Sequence, residues 1–212
     1  MATCALVAAS DFNAGHFQAA YRAGCFDAVI AADGGFAHLQ RLGIVPAIAL
    51  GDFDSLGSVP TDCPVRVFPT HKDKSDMQIA FEYAAEQGFD EVVAYGVLGG
   101  RLDHTLANIQ LMAAFAERGM AVSAVHLDCQ LRYVVGPVRY ELPPLPKGTV
   151  SVFSLVPAAT GVTERGLEYP LDDATLTDRT TWGLSNELIG APASVAVETG
   201  TLLVFHPLAF PS

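Results

Sequence analysis

Apolar and polar positions along the chain fall into two regimes. In the first, short apolar runs at Cys4 to Ala8, Ala28 to Ala32, Ile48 to Leu50, Val65 to Phe68, Glu91 to Tyr95 and Val122 to Leu127 have the length and bounding turns of buried strands. Between them lie helical stretches near His16 to Arg22, Phe36 to Leu42, Ser75 to Glu86 and Leu102 to Glu117. Met77, Ala80, Phe81, Ala84 and Ala85 recur at helical spacing, giving the third helix one apolar face. Leu102, Leu106, Ile109 and Ala113 predict a similar face on the fourth. Strands alternating with helices predict an α/β layer with a mainly parallel sheet.

After about Gln130 the pattern changes. Gly136-Pro137 and Pro143 to Pro146 punctuate the chain, and helical periodicity is lost. Val150 to Val156, Leu167 to Tyr169, Val195 to Val197 and Leu202 to Phe205 read as strands separated by turns. This predicts an α/β domain over residues 1–132 and a mostly β domain over 133–212, each of ordinary domain size.

Composition narrows the classes. The 212 residues are 50% hydrophobic and 17% charged, so a substantial core is expected. No apolar run approaches the roughly 18 residues of a membrane span. The start MATCALVAASDFN lacks the basic n-region of a secretory signal, so a cytoplasmic protein with no membrane partner is expected. Cys4, Cys25, Cys63 and Cys129 are scattered without zinc or disulfide spacing. A net charge of −11, with no Lys/Arg stripe, argues against nucleic acid as a partner.

Four acidic or glycine-rich turns fall at expected strand ends: Asp33-Gly34-Gly35, Gly51 to Ser55, Lys72 to Asp76 and Gly99 to His104. Ligands of open α/β sheets bind at the carboxyl ends of strands, so these turns should converge. Any one of them reads equally as an ordinary Asp/Gly turn. Four on one edge favour a metal–phosphate site. Asp52 and Asp54 can bend toward one hard cation such as Mg²⁺, which takes oxygen ligands and leaves room for phosphates. Ser75-Asp76-Met77-Gln78 has capping-box spacing, with Gln78 reaching back, which would hold Asp76 rigidly. Gly99 and Gly100 allow backbone N–H groups near a phosphate at a helix start, and Arg101 adds a bidentate donor. Lys72 and Lys74 could reach the same anion or sit on a solvated surface. His104 reads as a structural hydrogen-bonder rather than a base. Downstream, Trp182 and Tyr169 with small polar neighbours suit a flat cationic heterocycle.

Taken in order, DGG at Asp33, GDFDS at Gly51, KDKSD at Lys72, GGRLDH at Gly99, GLEYPL at Gly166 and GLSNE at Gly183 resemble the thiamine pyrophosphokinase family along nearly the whole chain. The resemblance implies an N-terminal α/β domain, a C-terminal all-β sandwich, and a homodimer with thiamine bound between subunits. It also implies transfer of pyrophosphate from MgATP to the thiamine hydroxyl, releasing AMP. On the same resemblance, Asp52, Asp54 and Asp76 serve the metal. Asp54, Asp76, Asp103 and Arg101 are catalytic. Asp33, Gly34, Lys72, Gly99, Gly100 and Arg101 hold ATP and its phosphates, and Tyr169, Ser185 and Asn186 hold thiamine. Three departures stand out. Gln78 occupies a position where many bacterial members carry Glu, Tyr169 replaces a more usual Trp, and the loop Ala8 to Asn13 lacks a glycine pair.

The expected chemistry is in-line attack by the thiamine hydroxyl on the β-phosphorus. Asp103 is a ligand, an orienting group or a proton acceptor. Two rivals remain at this level: a phosphohydrolase using Asp52 and Asp54 as an aspartyl pair, and a thiamine or nucleotide sensor without catalysis.

Overall fold

The apolar runs of the first regime become strands with mostly buried side chains, except the strand at Val65–Val67, which is half-buried to exposed. The computed structural model describes residues 1–71 and 73–210, with Ser55 described by its backbone. Contacts within the chain divide it into two units, Met1–Leu127 with Phe210, and Asp128–Ala209.

The first unit runs β1 (Thr3–Val7), α1 (Ala14–Arg22), β2 (Ala28–Ala32), α2 (Gly35–Arg41), β3 (Ile48–Gly51), β4 (Val65–Val67), α3 (Asp76–Glu86), β5 (Glu91–Tyr95), α4 (Leu102–Ala116) and β6 (Ala121–Val125). The strands are parallel in the order β6-β5-β1-β2-β3-β4. The chain steps outward from β1 to β4, then returns to β5 on the other side of β1. Right-handed crossovers then place α1 and α2 on one face and α4 on the other. β1 and β5 therefore flank a topological switch point, where open sheets leave a crevice. Leu6, Ile30 and Leu50 fill the sheet's core, and Phe81 of α3 meets Phe115 of α4 at 5.0 Å between ring centroids.

Two local expectations need correction. On α4, Leu102 and Leu106 are 81% and 57% exposed, while Asn108, Met112, Ala113, Phe115 and Ala116 are buried. The inward face is set by the residues that meet β6 and α3, not by the leucine stripe. On α3, Ser75 Oγ accepts from the Gln78 N–H at 3.2 Å as a cap should, a contact worth about 1 kcal/mol. The Gln78 amide, however, donates forward to Glu82 Oε1 at 3.0 Å instead of reaching back.

The second unit runs β7 (Cys129–Val135), β8 (Val138–Glu141), β9 (Thr149–Ser154), β10 (Ala159–Arg165), β11 (Ala174–Leu176), β12 (Asn186–Glu187), β13 (Ser194–Val197) and β14 (Thr201–Pro207). They form two antiparallel sheets, β12-β9-β14-β7 and β11-β10-β13-β8. Val134, Val150, Val152, Leu202 and Val204 of the first sheet share one buried cluster with Val162, Leu176, Val195 and Val197 of the second. This is a β-sandwich, its inner faces alternating with outward residues along each strand. Leu167 to Tyr169, expected as a strand, forms only a bridge from Leu167 to Leu188. Strands β8, β10 and β11 were not legible because they are short, or interrupted by polar residues and Gly161. Among the described residues, no helix is long and apolar enough to cross a membrane.

Candidate active site

Strand ends in the first unit open into a cleft of about 640 Å³. Its walls bring together Asp33 after β2, Asp52 and Asp54 after β3, Lys74 to Asp76 before α3, and Gly99, Arg101 and His104 around the start of α4. Three of the four predicted turns reach the cleft through these residues, while Gly34, Gly100 and Asp103 are not among its lining. The fourth contributes Lys74, Ser75 and Asp76, while Lys72 lies outside the described residues.

The carboxylates are placed by backbone that most residues avoid. Asp33 has φ 44° and Phe53 φ 58°, both left-handed. Asp tolerates that region, whereas a buried Phe there is strained, a feature that clusters at functional sites. Phe53 is 2% exposed, and its burial anchors the turn. The Asp33 N–H donates to the Leu50 carbonyl at 2.7 Å, tying the β2 end to the β3 end. The Asp54 N–H donates to Asp52 Oδ1 at 3.3 Å. As a result, one oxygen from each of Asp33, Asp52 and Asp54 lies within 4.8 Å of the other two. Asp76 lines the same cleft but is not one of these three, whereas Asp33, expected among the ATP-binding residues, is.

The opposite wall is a glycine turn. Gly99 and Gly100 have φ 85° and 61°. A Cβ on Gly99 would meet the Asp11 side chain, and at φ 85° any side chain is strained whatever the space, so the turn favours glycine. Thr105 holds the turn from the first helical turn of α4: its Oγ1 accepts from the Gly99 N–H at 3.1 Å and donates to the Gly99 carbonyl at 3.2 Å. Buried Asn108 donates to the Val97 carbonyl at 2.7 Å. Neither residue was singled out from the sequence. A polar pair on the inward side of an apolar helix was the available signal.

Arg101 and Asp103 form an exposed bidentate pair, Nη2 to Oδ2 at 2.6 Å and Nε to Oδ1 at 3.2 Å. The hydrogen bond from Arg101 holds the Asp103 carboxyl well down, to about 2. Asp103 in turn raises Arg101. Lys74 pairs with Glu82 at 2.8 Å, which lowers Glu82.

The first loop is built without a glycine pair. The N–H groups of Ala8, Ser10 and Asp11 donate to the carbonyls of Tyr95, Gly96 and Leu98 at 2.8, 2.8 and 3.1 Å, closing this loop onto the one after β5. The His38 ring stacks on Phe12 at 4.7 Å between centroids, and its Nε2 lies 3.2 and 3.1 Å from the carbonyl oxygens of Ala9 and Ser10.

In the second unit, Tyr169 and Trp182 are 68% and 63% exposed. Ser185 is also exposed, has φ 60°, and its N–H donates to Ser151 Oγ at 3.0 Å. Asn186 differs: it is buried, and its side chain grips the Tyr169 backbone through both N–H and carbonyl.

Residues 24–124 match the family model described as thiamin pyrophosphokinase, catalytic domain, and residues 139–204 match thiamin pyrophosphokinase, vitamin B1 binding domain. A thiamine pyrophosphokinase from Bacillus subtilis is 28% identical over 186 residues, covering 84% of this chain and 86% of its own. In fold, the chain is similar to a crystal structure of thiamine pyrophosphokinase from Bacillus subtilis, with TM-score 0.81 and 24% identity over 98% of this chain and 100% of that one. The structure of thiamin pyrophosphokinase from Geobacillus thermodenitrificans gives TM-score 0.78 and 25% identity over 98% of each chain. Matched in both of its units by the two domains of one family, in the same order, the chain belongs to the thiamin pyrophosphokinase family.

Proposed function

We propose that this chain transfers the pyrophosphoryl group of ATP to the hydroxyl of thiamine, giving thiamine pyrophosphate and AMP. The observation that carries the reading is one cleft holding both a three-carboxylate cluster and a glycine turn that opens a helix. The first suits a cation and the second suits phosphate. In the reaction, the thiamine oxygen bonds to the β-phosphorus, the bridge between α- and β-phosphates breaks, and the hydroxyl proton is released.

Ligand oxygens stand about 2.1 Å from Mg²⁺, hence roughly 3–4 Å from one another. The oxygens of Asp33, Asp52 and Asp54, all within 4.8 Å, fit one such ion with small adjustment. Asp76 stands beside them on the capped start of α3. Bound there, Mg²⁺ would neutralise phosphate charge. The backbone around Gly99 and Gly100 binds phosphate oxygens, and Arg101, with guanidinium donors beyond the two that hold Asp103, reaches the same anion. Asp103, held at about 2, is a weak proton acceptor, so it orients the hydroxyl or Arg101 rather than taking the proton. Tyr169 offers its exposed ring, and Ser185 its hydroxyl, to thiamine.

We further read the working form as a homodimer, supported by the exposed apolar residues Leu102 and Leu106 on α4. Four free cysteines suit the reducing cytoplasm. The deciding experiment incubates pure protein with MgATP and thiamine and separates the products by chromatography. AMP and thiamine pyrophosphate in equal amounts, each requiring thiamine and Mg²⁺, are expected. AMP or phosphate formed without thiamine would overturn the reading.

A further inference from the structure

Asn186 has no hydrogen-bonding capacity left for a ligand. Its amide nitrogen donates to Glu164 Oε2 and to the Tyr169 carbonyl, each at 2.8 Å. Its oxygen accepts from the N–H groups of Tyr169 at 3.0 Å and Glu187 at 2.9 Å. Both amide hydrogens and both lone pairs are engaged, so Asn186 acts as a clamp between the Tyr169 segment and the turn that carries Ser185.

The far end of this clamp is Glu164, 0% exposed on the inward face of β10, where its neighbour on the same face is Val162. Its second oxygen, Oε1, is buried with no hydrogen-bond partner among the described residues. A carboxyl in such a place is costly, and an apolar side chain would pack there at lower cost. What Glu164 adds is an acceptor that fixes which way the Asn186 amide faces. Without it, one Asn186 hydrogen is orphaned in the core, and the amide is free to turn away from Tyr169.

We propose that Glu164 is a positioning residue for thiamine, acting through Asn186 to hold Tyr169 and Ser185 in their binding geometry. The proposal rests on the reading of the Tyr169 and Ser185 segments as the thiamine site. It predicts a selective effect: loss of the acceptor raises the KM for thiamine and leaves the ATP cleft of the first unit unaffected.

The test compares E164L, E164D, E164Q and Y169A by steady-state kinetics with each substrate varied in turn. E164L removes the acceptor, and E164D withdraws it by one methylene while keeping a carboxyl for folding. Both are expected to raise the thiamine KM about tenfold, the scale of leaving one buried polar group unsatisfied, with the ATP KM within about twofold. E164Q, which keeps an oxygen for Asn186, restores the thiamine KM to within about twofold of the parent. Should E164L fail to fold, E164D decides. If Y169A leaves the thiamine KM unchanged, the site reading fails and the proposal with it. If Y169A raises it while folded E164D does not, or if E164D raises both KM values alike, the positioning role alone is overturned.

Discussion

Arg101 grips Asp103 with two nitrogens across the opening turn of α4, at 2.6 and 3.2 Å. The pair is exposed, so its worth lies in geometry and charge state more than in stability. The Arg101 hydrogen bond draws the Asp103 carboxyl from 3.8 to about 2. A carboxyl lowered in the folded state contributes stability above its ordinary value, lost as pH falls through the folded one. That window lies in acid, and Asp103 stays ionised across neutrality. Carbon-13 NMR of the Asp103 carboxyl should give a midpoint near 2, moving up toward 3.8 in R101M. A pH–rate limb roughly between pH 5 and 9 that disappears in D103N would contradict this ionisation state.

Asp54 is exposed at the cleft, so its carboxylate can be replaced by an isosteric amide without disturbing the core. D54N is expected to lower AMP formation by at least about 10²-fold, with thermal unfolding within a few degrees of the parent. D33N tests the cluster's third member: it should raise the Mg²⁺ concentration for half-maximal turnover about tenfold. A parent-like Mg²⁺ curve for D33N would return the third ligand position to Asp76. Removing divalent ions with a chelator should stop turnover, and adding Mg²⁺ should restore it.

Much of the site was legible because its chemistry lies in short turns. DGG, GDFDS and GGRLDH each name their own backbone geometry, and the strand-helix alternation says that the turns share an edge. The capped helix behind Ser75 was equally local. What escaped notice depends on partners outside the short turn motifs. Thr105 and Asn108 matter because they meet Gly99 and Val97, and Asn186 matters because Glu164 lies 22 residues before it. Leu102 and Leu106 misled because helical spacing says which residues share a face, not which face turns inward. Asp33 and Asp52 come together only through pairing of β2 with β3, where Ala32 stands opposite Leu50.

Gly96 lies where β5 runs into the cleft loop, at φ 65°. A Cβ there would overlap the carbonyl oxygen of Ala8, and the Gly96 carbonyl must stay in place to accept from Ser10. G96A therefore combines left-handed strain with backbone overlap that no rotamer relieves. It should cost about 2–4 kcal/mol, measured by urea unfolding, and lower activity through the displaced first loop. A variant as stable as the parent would mean that the two loops are not closed on each other as described.

Glu164 makes stability depend on pH in the sense opposite to Asp103. Burial pushes its carboxyl up, and the Asn186 donor only partly offsets this. An acid raised in the folded state favours folding while protonated. Its contribution is therefore full below the ordinary carboxyl value of 4.5 and is lost as pH rises through the higher folded one. Above that, the folded protein must hold an ionised carboxylate in an apolar core. E164Q removes the charge and keeps the oxygen facing Asn186. Its melting temperature should exceed the parent's at pH 8, and the difference should shrink steadily as pH falls toward 4.5. An advantage that stays constant with pH would instead trace to packing around Oε1, and an advantage that grows in acid would reverse the assigned direction of the shift.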